Sequence, residues 1–141
     1  MGGGVQFDLI HEIDYLNYLF GEPLALEKQY RRVSHLEIDS CDYAHYSATH
    51  QKFSANVTLN YFRRDAKRTL EIVRENDTLL LDFINGNCIN LITGQTLLNI
   101  DKEGLSLSYL NQMKYFLSAA KNKKHPMNSL EESLRIIKHI L

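Results

Sequence analysis

The sequence predicts an α+β fold: an open, mainly antiparallel β-sheet of about six or seven strands with helices packed on one face. Three observations predict it. Apolar residues recur at helical spacing over residues 8–20, at a period of two from about 24 to 100, and at helical spacing again after Gly104. The period-two segments are separated by short turn clusters, which join antiparallel strands, whereas parallel strands need long crossovers. The helical segments sit at the two ends of the chain instead of alternating with strands, which favours an α+β layer arrangement.

Taken in order, Leu9, Ile13, Leu16 and Phe20 form one narrow stripe on the first helix, with Asp8, His11, Tyr15 and Tyr18 opposite. Gly21-Glu22-Pro23 stops it, a glycine cap followed by a proline. The clearest strand is 53–62, where Phe53, Ala55, Val57, Leu59 and Tyr61 point one way and Ser54, Asn56, Thr58 and Asn60 the other. Further strands are expected near 25–33, 42–50, 67–74, 78–84, 87–92 and 95–100. The turns fall at Arg64-Asp65, Glu75-Asn76-Asp77, Asn85-Gly86-Asn87 and Thr93-Gly94-Gln95. After Gly104 a helix is expected with Leu110, Met113, Phe116, Leu117 and Ala120 on its apolar face and Lys121 to Lys124 at its end. Ser129 and Glu132 form a capping box for a last helix whose stripe is Leu130, Leu134, Ile137 and Leu141.

A length of 141 residues is enough for one domain with a sizeable core, and residues 1–141 are read as a single domain. A net charge of −1 gives no global attraction to nucleic acid or to an anionic membrane. No apolar run reaches the roughly 18 residues of a membrane span. Met1-Gly2-Gly3-Gly4 opens neither a signal peptide nor a myristoylation signal. Cys41 and Cys88 are far apart and read as reduced thiols of a cytoplasmic protein, not as a disulfide or a metal site. His45 and His50 fall on opposite strand faces, so no two-histidine metal site is expected.

Chemistry concentrates on the first helix. Removing the proton of a hydroxyl while its carbon is oxidised calls for a base titrating near neutrality and a neighbour that fixes its tautomer. His11, three residues after Asp8 and one turn before Asp14 and Tyr15, supplies those residue types, and spacings of three and four bring helical side chains to adjacent rows. Arg63, Arg64, Lys67 and Arg68 form a basic hairpin that is either a solvated turn or, through Arg63 with Asn60 or Tyr61, part of a substrate pocket.

The segment Gly2-Gly3-Gly4-Val5-Gln6-Phe7-Asp8-Leu9-Ile10-His11-Glu12-Ile13-Asp14-Tyr15-Leu16, followed by Leu19-Phe20-Gly21-Glu22-Pro23, resembles the opening of the C-terminal domain of the glucose–fructose oxidoreductase and inositol dehydrogenase family, Gfo/Idh/MocA. There a glycine pair precedes an Asp, then a His-x-x-Asp on a helix, then a Leu-x-Gly stop. The strands Asn56–Phe62 and Arg68–Arg74, the hairpin at Asn76-Asp77-Thr78, the stretch Tyr109-x-x-Gln112-x-x-x-Phe116-Leu117 and Ser129-Leu130-Glu131-Glu132-Ser133 extend the likeness over most of the chain.

The resemblance implies a substrate-binding domain of an NAD(P)-dependent sugar or polyol dehydrogenase. It implies His11 as acid/base or ligand of the substrate hydroxyl, Asp8 as the group orienting substrate or imidazole, and Asp14 as a structural hydrogen bonder. Tyr15, Asn60, Tyr61 and Arg63 are the expected substrate contacts. Two departures stand out. Only Leu9 and Ile10 separate Asp8 from His11, where the family usually has three residues. No Gly-x-Gly-x-x-Gly follows a strand, and the family's Glu-Lys-Pro segment is missing. The NAD or NADP site is therefore expected on an N-terminal Rossmann domain absent from this chain, and the chain alone is expected to bind no cofactor and no metal. A homo-oligomer through the free sheet face is also expected, with solvated tyrosines (Tyr43, Tyr46, Tyr61) as the plainer account of that face. The alternative function is a non-catalytic ligand-binding or dimerisation module.

Overall fold

The computed structural model describes residues 3–141; Met1 and Gly2, and with them the first glycine of the motif, lie outside the described residues. In chain order the elements are α1 (Val5–Asp8), α2 (Ile10–Phe20), β1 (Ala25–Arg31), β2 (Tyr43–Thr49), β3 (Ser54–Asn60), β4 (Thr69–Val73), β5 (Thr78–Asp82), β6 (Asn87–Asn90), β7 (Thr96–Asn99), α3 (Lys102–Lys121) and α4 (Leu130–Ile140). The α+β class, the seven strands and the antiparallel meander are as expected. The strands form two ladders, β1-β2-β3 and β4-β5-β6-β7. The chain divides accordingly into two compact units, Met1–Arg63 with Met127–Leu141, and Arg64–Pro126. The expected basic hairpin at 63–68 is thus a link from one ladder to the next, not a turn within a sheet.

In the first unit, β2 is paired on both sides, with Ala44 opposite Tyr30 and Leu59, and Tyr46 opposite Lys28 and Val57. Strand alternation puts Leu26, Tyr30, Ala44, Tyr46, Ala48, Val57 and Leu59 on one face, and α1, α2 and α4 pack there. Val5, Ile13, Ala44, Tyr46, Leu59, Ile136 and Ile140 make the core. The opposite face is polar, with cross-strand rows Gln29, His45, Thr58 and Arg31, Tyr43, Asn60.

α4 begins at the expected capping box. The Ser129 amide donates to Glu132 Oε2 at 2.6 Å, and the Glu132 amide donates to Ser129 Oγ at 3.2 Å. Its buried side differs from the expected stripe. Ile136 and Ile140 are buried, while Leu130 and Leu141 are 70% and 75% exposed. The Tyr30 hydroxyl donates to the Ile140 carbonyl at 2.8 Å, and this bond fixes which side of the helix turns to the sheet.

Asp42 closes the base of this unit. Its side chain is fully buried and accepts from the amides of Val33 (2.8 Å) and Ser34 (2.9 Å) and from the Ser34 hydroxyl. Its own amide donates to the Arg31 carbonyl at 3.1 Å, and its carbonyl accepts from the Tyr61 amide at 3.1 Å. One residue therefore ties the 32–42 loop to the ends of β1 and β3.

In the second unit, the Arg74 guanidinium grips Asp77 through Nε to Oδ1 at 2.6 Å and Nη2 to Oδ2 at 2.5 Å, across the expected turn. Asn85-Gly86 turns β5 into β6, with Gly86 at φ 68°. α3 starts two residues before Gly104, because the Asp101 side chain caps it by accepting from the Gly104 amide at 2.6 Å. Its expected apolar face is not buried: Leu110, Met113, Phe116 and Leu117 are 48–62% exposed, while Ala119 is buried. Capping and the helix-favouring Leu, Met, Lys and Ala residues account for this helix without a packed side.

Gly4 starts α1 at φ 99°, a region L-residues rarely enter, and a Cβ there would lie 2.6 Å from Gln6 Oε1. Gly4→Ala should therefore destabilise the chain by about 1–3 kcal/mol, read as a lower denaturant midpoint. An unchanged midpoint would show that α1 can start from another backbone conformation.

Candidate functional site

The site residues of the first helix hang on one backbone anchor: the amide of fully buried Val5 donates to the Cys41 carbonyl at 2.9 Å. α1 makes a single turn from there and ends at Asp8. Leu9 then leaves the helical region (φ −107°, ψ 26°), and α2 begins at Ile10. The expected continuous helix over 8–20 is thus two helices. The spacing rule that set Asp8 beside His11 assumed one unbroken helix, and no hydrogen bond joins the two side chains.

Each finds another partner. The Tyr61 hydroxyl donates to Asp8 Oδ2, across 53 residues of sequence. His11 Nε2 lies 3.0 Å from Glu12 Oε1, with the His11 side chain 52% exposed and that of Glu12 only 11%. Tyr61 is positioned by its amide bond to the Asp42 carbonyl, and its ring leans on the core beside the helices. Burial first, and then the Asp8 carboxylate that a phenolate would repel, push the Tyr61 hydroxyl up to about 12. It stays a donor throughout the neutral range.

The other expected contacts separate from this pair. Asn60 ends β3 on the opposite, polar face, and its Oδ1 accepts from the Arg63 amide at 3.0 Å. Asn60 and Arg63 are therefore brought together with each other, and not with Asp8 and Tyr61. Tyr15 is half-buried on α2. Asp14 is half-buried and has no hydrogen bond or ion pair with another described residue; the carboxylate that ties down a loop is Asp42.

Two features escape a reading of the sequence. Glu12 is buried although nothing in its local pattern marks it. On the helix side of the sheet, a narrow cavity of about 30 Å³ is lined by Leu16, Asn17, Phe20, Tyr46, His50 and His139, among others. Asn17 Nδ2 and His139 Nδ1 are 3.1 Å apart beside it, the His50 ring stacks on Phe53 at 4.3 Å, and the buried Tyr46 hydroxyl has no hydrogen-bond partner of good geometry among the described residues. That space suits a water-sized guest and is far too small for a sugar.

Among the described residues no cluster of three His, Cys, Asp or Glu could hold a metal ion, and Cys41 and Cys88 are unpaired. Among the same residues no helix is long and apolar enough to cross a membrane. Gly3 and Gly4 lead into the one-turn helix α1.

No family profile and no curated protein matches this sequence. Among solved structures, yvaA from Bacillus subtilis, described as a candidate oxidoreductase, is similar with a TM-score of 0.76 and 16% identity. The likeness covers 97% of this chain but 46% of that one, so this chain spans about half the length of the protein it matches. At this identity the likeness is one of fold: the chain has the fold of part of an oxidoreductase structure.

Proposed function

We propose that this chain is the substrate-binding domain of an NAD(P)-dependent dehydrogenase acting on a sugar or polyol, of the Gfo/Idh/MocA kind. The observation that carries the reading is that the motif's Asp8 is paired with Tyr61 while its His11 is half-exposed. Of the motif, Asp8 and His11 are exposed while Val5 and Gln6 are buried, and Asp8 is held by a donor from the residue that follows β3. The fold shared with part of an oxidoreductase supports it. In this reading Asp8 and Tyr61 bind the hydroxyls of the substrate, and His11 takes the proton of the reacting hydroxyl. In this reading NAD or NADP is held by a separate Rossmann domain, and no step on this chain passes through it.

The test uses the chain itself, isotope-labelled, in an NMR titration. Millimolar myo-inositol or glucose should shift the resonances of Asp8, His11 and Tyr61, while NADH should leave the spectrum unchanged. NADH binding at micromolar concentration, or sugar shifts that avoid all three residues, would overturn the reading. The assembly alternative would use, in the first ladder, a face lined by Gln29, His45, Thr58, Arg31, Tyr43 and Asn60, which is largely polar and a poor core for an obligate dimer.

A further inference from the structure

We infer that Glu12 is the positioning residue for His11, and that Nδ1 is the ring nitrogen that meets the substrate hydroxyl; this rests on the function proposed above. Neighbouring residues on a helix diverge by about 100°, so the contact between His11 and Glu12 requires both side chains to bend toward each other. They come within 3.0 Å of each other, and the Glu12 carboxylate lies in the buried layer of α2. Asp8, the carboxylate that the motif suggests for this task, is already the acceptor for Tyr61.

The chemistry then assigns the two nitrogens. In a neutral imidazole one nitrogen carries hydrogen and the other a lone pair. A lone pair this close to a carboxylate oxygen would be repelled, so the pairing puts the hydrogen on Nε2, facing Glu12. Nδ1 keeps the lone pair and makes no hydrogen bond to another described residue. The ring is half-exposed, so that lone pair is open to a ligand. In the proton-transfer step the substrate O–H bond breaks, an Nδ1–H bond forms, and the electron pair stays on the substrate oxygen. The imidazolium so formed lies against an existing carboxylate, which favours the transfer.

The experiment is long-range ¹H–¹⁵N NMR of the histidines in the 141-residue chain, at a pH where the rings are neutral. Wild-type His11 should show one tautomer, hydrogen on Nε2. Glu12→Gln, which keeps a side-chain acceptor, should preserve it, and Glu12→Ala should release His11 to a mixture of both tautomers. A wild-type ring that is mixed or carries its hydrogen on Nδ1 would overturn the inference, as would a Glu12→Ala ring still locked on Nε2. If Glu12→Ala fails to fold, the wild-type and Glu12→Gln spectra decide alone. The sugar titration separates the two ideas: a locked ring with no sugar response sinks the function and leaves the pairing, and a sugar response with a mixed ring does the reverse.

Discussion

If the chain serves in the dehydrogenase proposed above, His11→Ala should lower its turnover by about 10²–10⁴-fold, the range lost with an acid–base group. The loss should fall on kcat more than on KM, because Asp8 and Tyr61, the groups proposed to hold the substrate hydroxyls, remain bonded to each other. Steady-state oxidation of a polyol by wild type and variant, with this chain joined to its nucleotide-binding domain, measures both constants. Near-normal turnover would remove His11 from the mechanism. Any limb of the pH–rate profile near neutrality cannot come from Tyr61, whose hydroxyl is pushed up to about 12 and is protonated across that range. A profile that survives Tyr61→Phe but disappears with His11→Ala would attribute it to the imidazole.

The parts of this protein that were legible in its sequence are those set by neighbours a few residues apart. The Ser129–Glu132 box, the Asn85-Gly86 turn and the stop at Gly21 are interactions within one turn of chain, and each forms where its pattern stands. Strand alternation likewise gave the sides of β3, with Leu59 buried and Asn60 on the polar face. What escaped depends on tertiary partners. The break at Leu9 exists because Val5 is pinned to Cys41 and Ile13 to the core, which sets α1 and α2 on separate anchors. The Tyr61 bond to Asp8 spans 53 residues, and no local periodicity reports it. On α4 the residues Leu130, Leu134, Ile136, Ile137, Ile140 and Leu141 make an apolar band wider than one face, so a contact from Tyr30 had to choose the buried side.

Asp42 is the strongest case of a residue that sequence alone passes over, and replacing it should have the largest effect on stability. Asp42→Ala leaves the amides of Val33 and Ser34 and the Ser34 hydroxyl without their acceptor in a partly buried place, and the unmade bonds are what cost most. The thermal midpoint should fall by on the order of 10 °C. Asp42→Asn should fall nearly as far, since an amide offers one oxygen and turns an NH₂ group toward donors. The effect should reach the site, because the Asp42 carbonyl holds the Tyr61 amide, and Tyr61 holds Asp8. Its pH dependence has a definite sign. Burial alone would raise the Asp42 carboxyl, but the Ser34 hydroxyl and the Val33 and Ser34 amides outweigh it and hold the group below its ordinary value. A folded-state value below the unfolded one stabilises fully above about pH 4, and that stabilisation is lost as the pH falls through the folded value. Thermal melts of wild type and Asp42→Asn should therefore differ most at neutral pH and converge in acid below about pH 4. Parallel curves down to the lowest pH at which both chains fold would mean that the carboxylate charge contributes nothing, and that Asp42 acts through its backbone bonds alone.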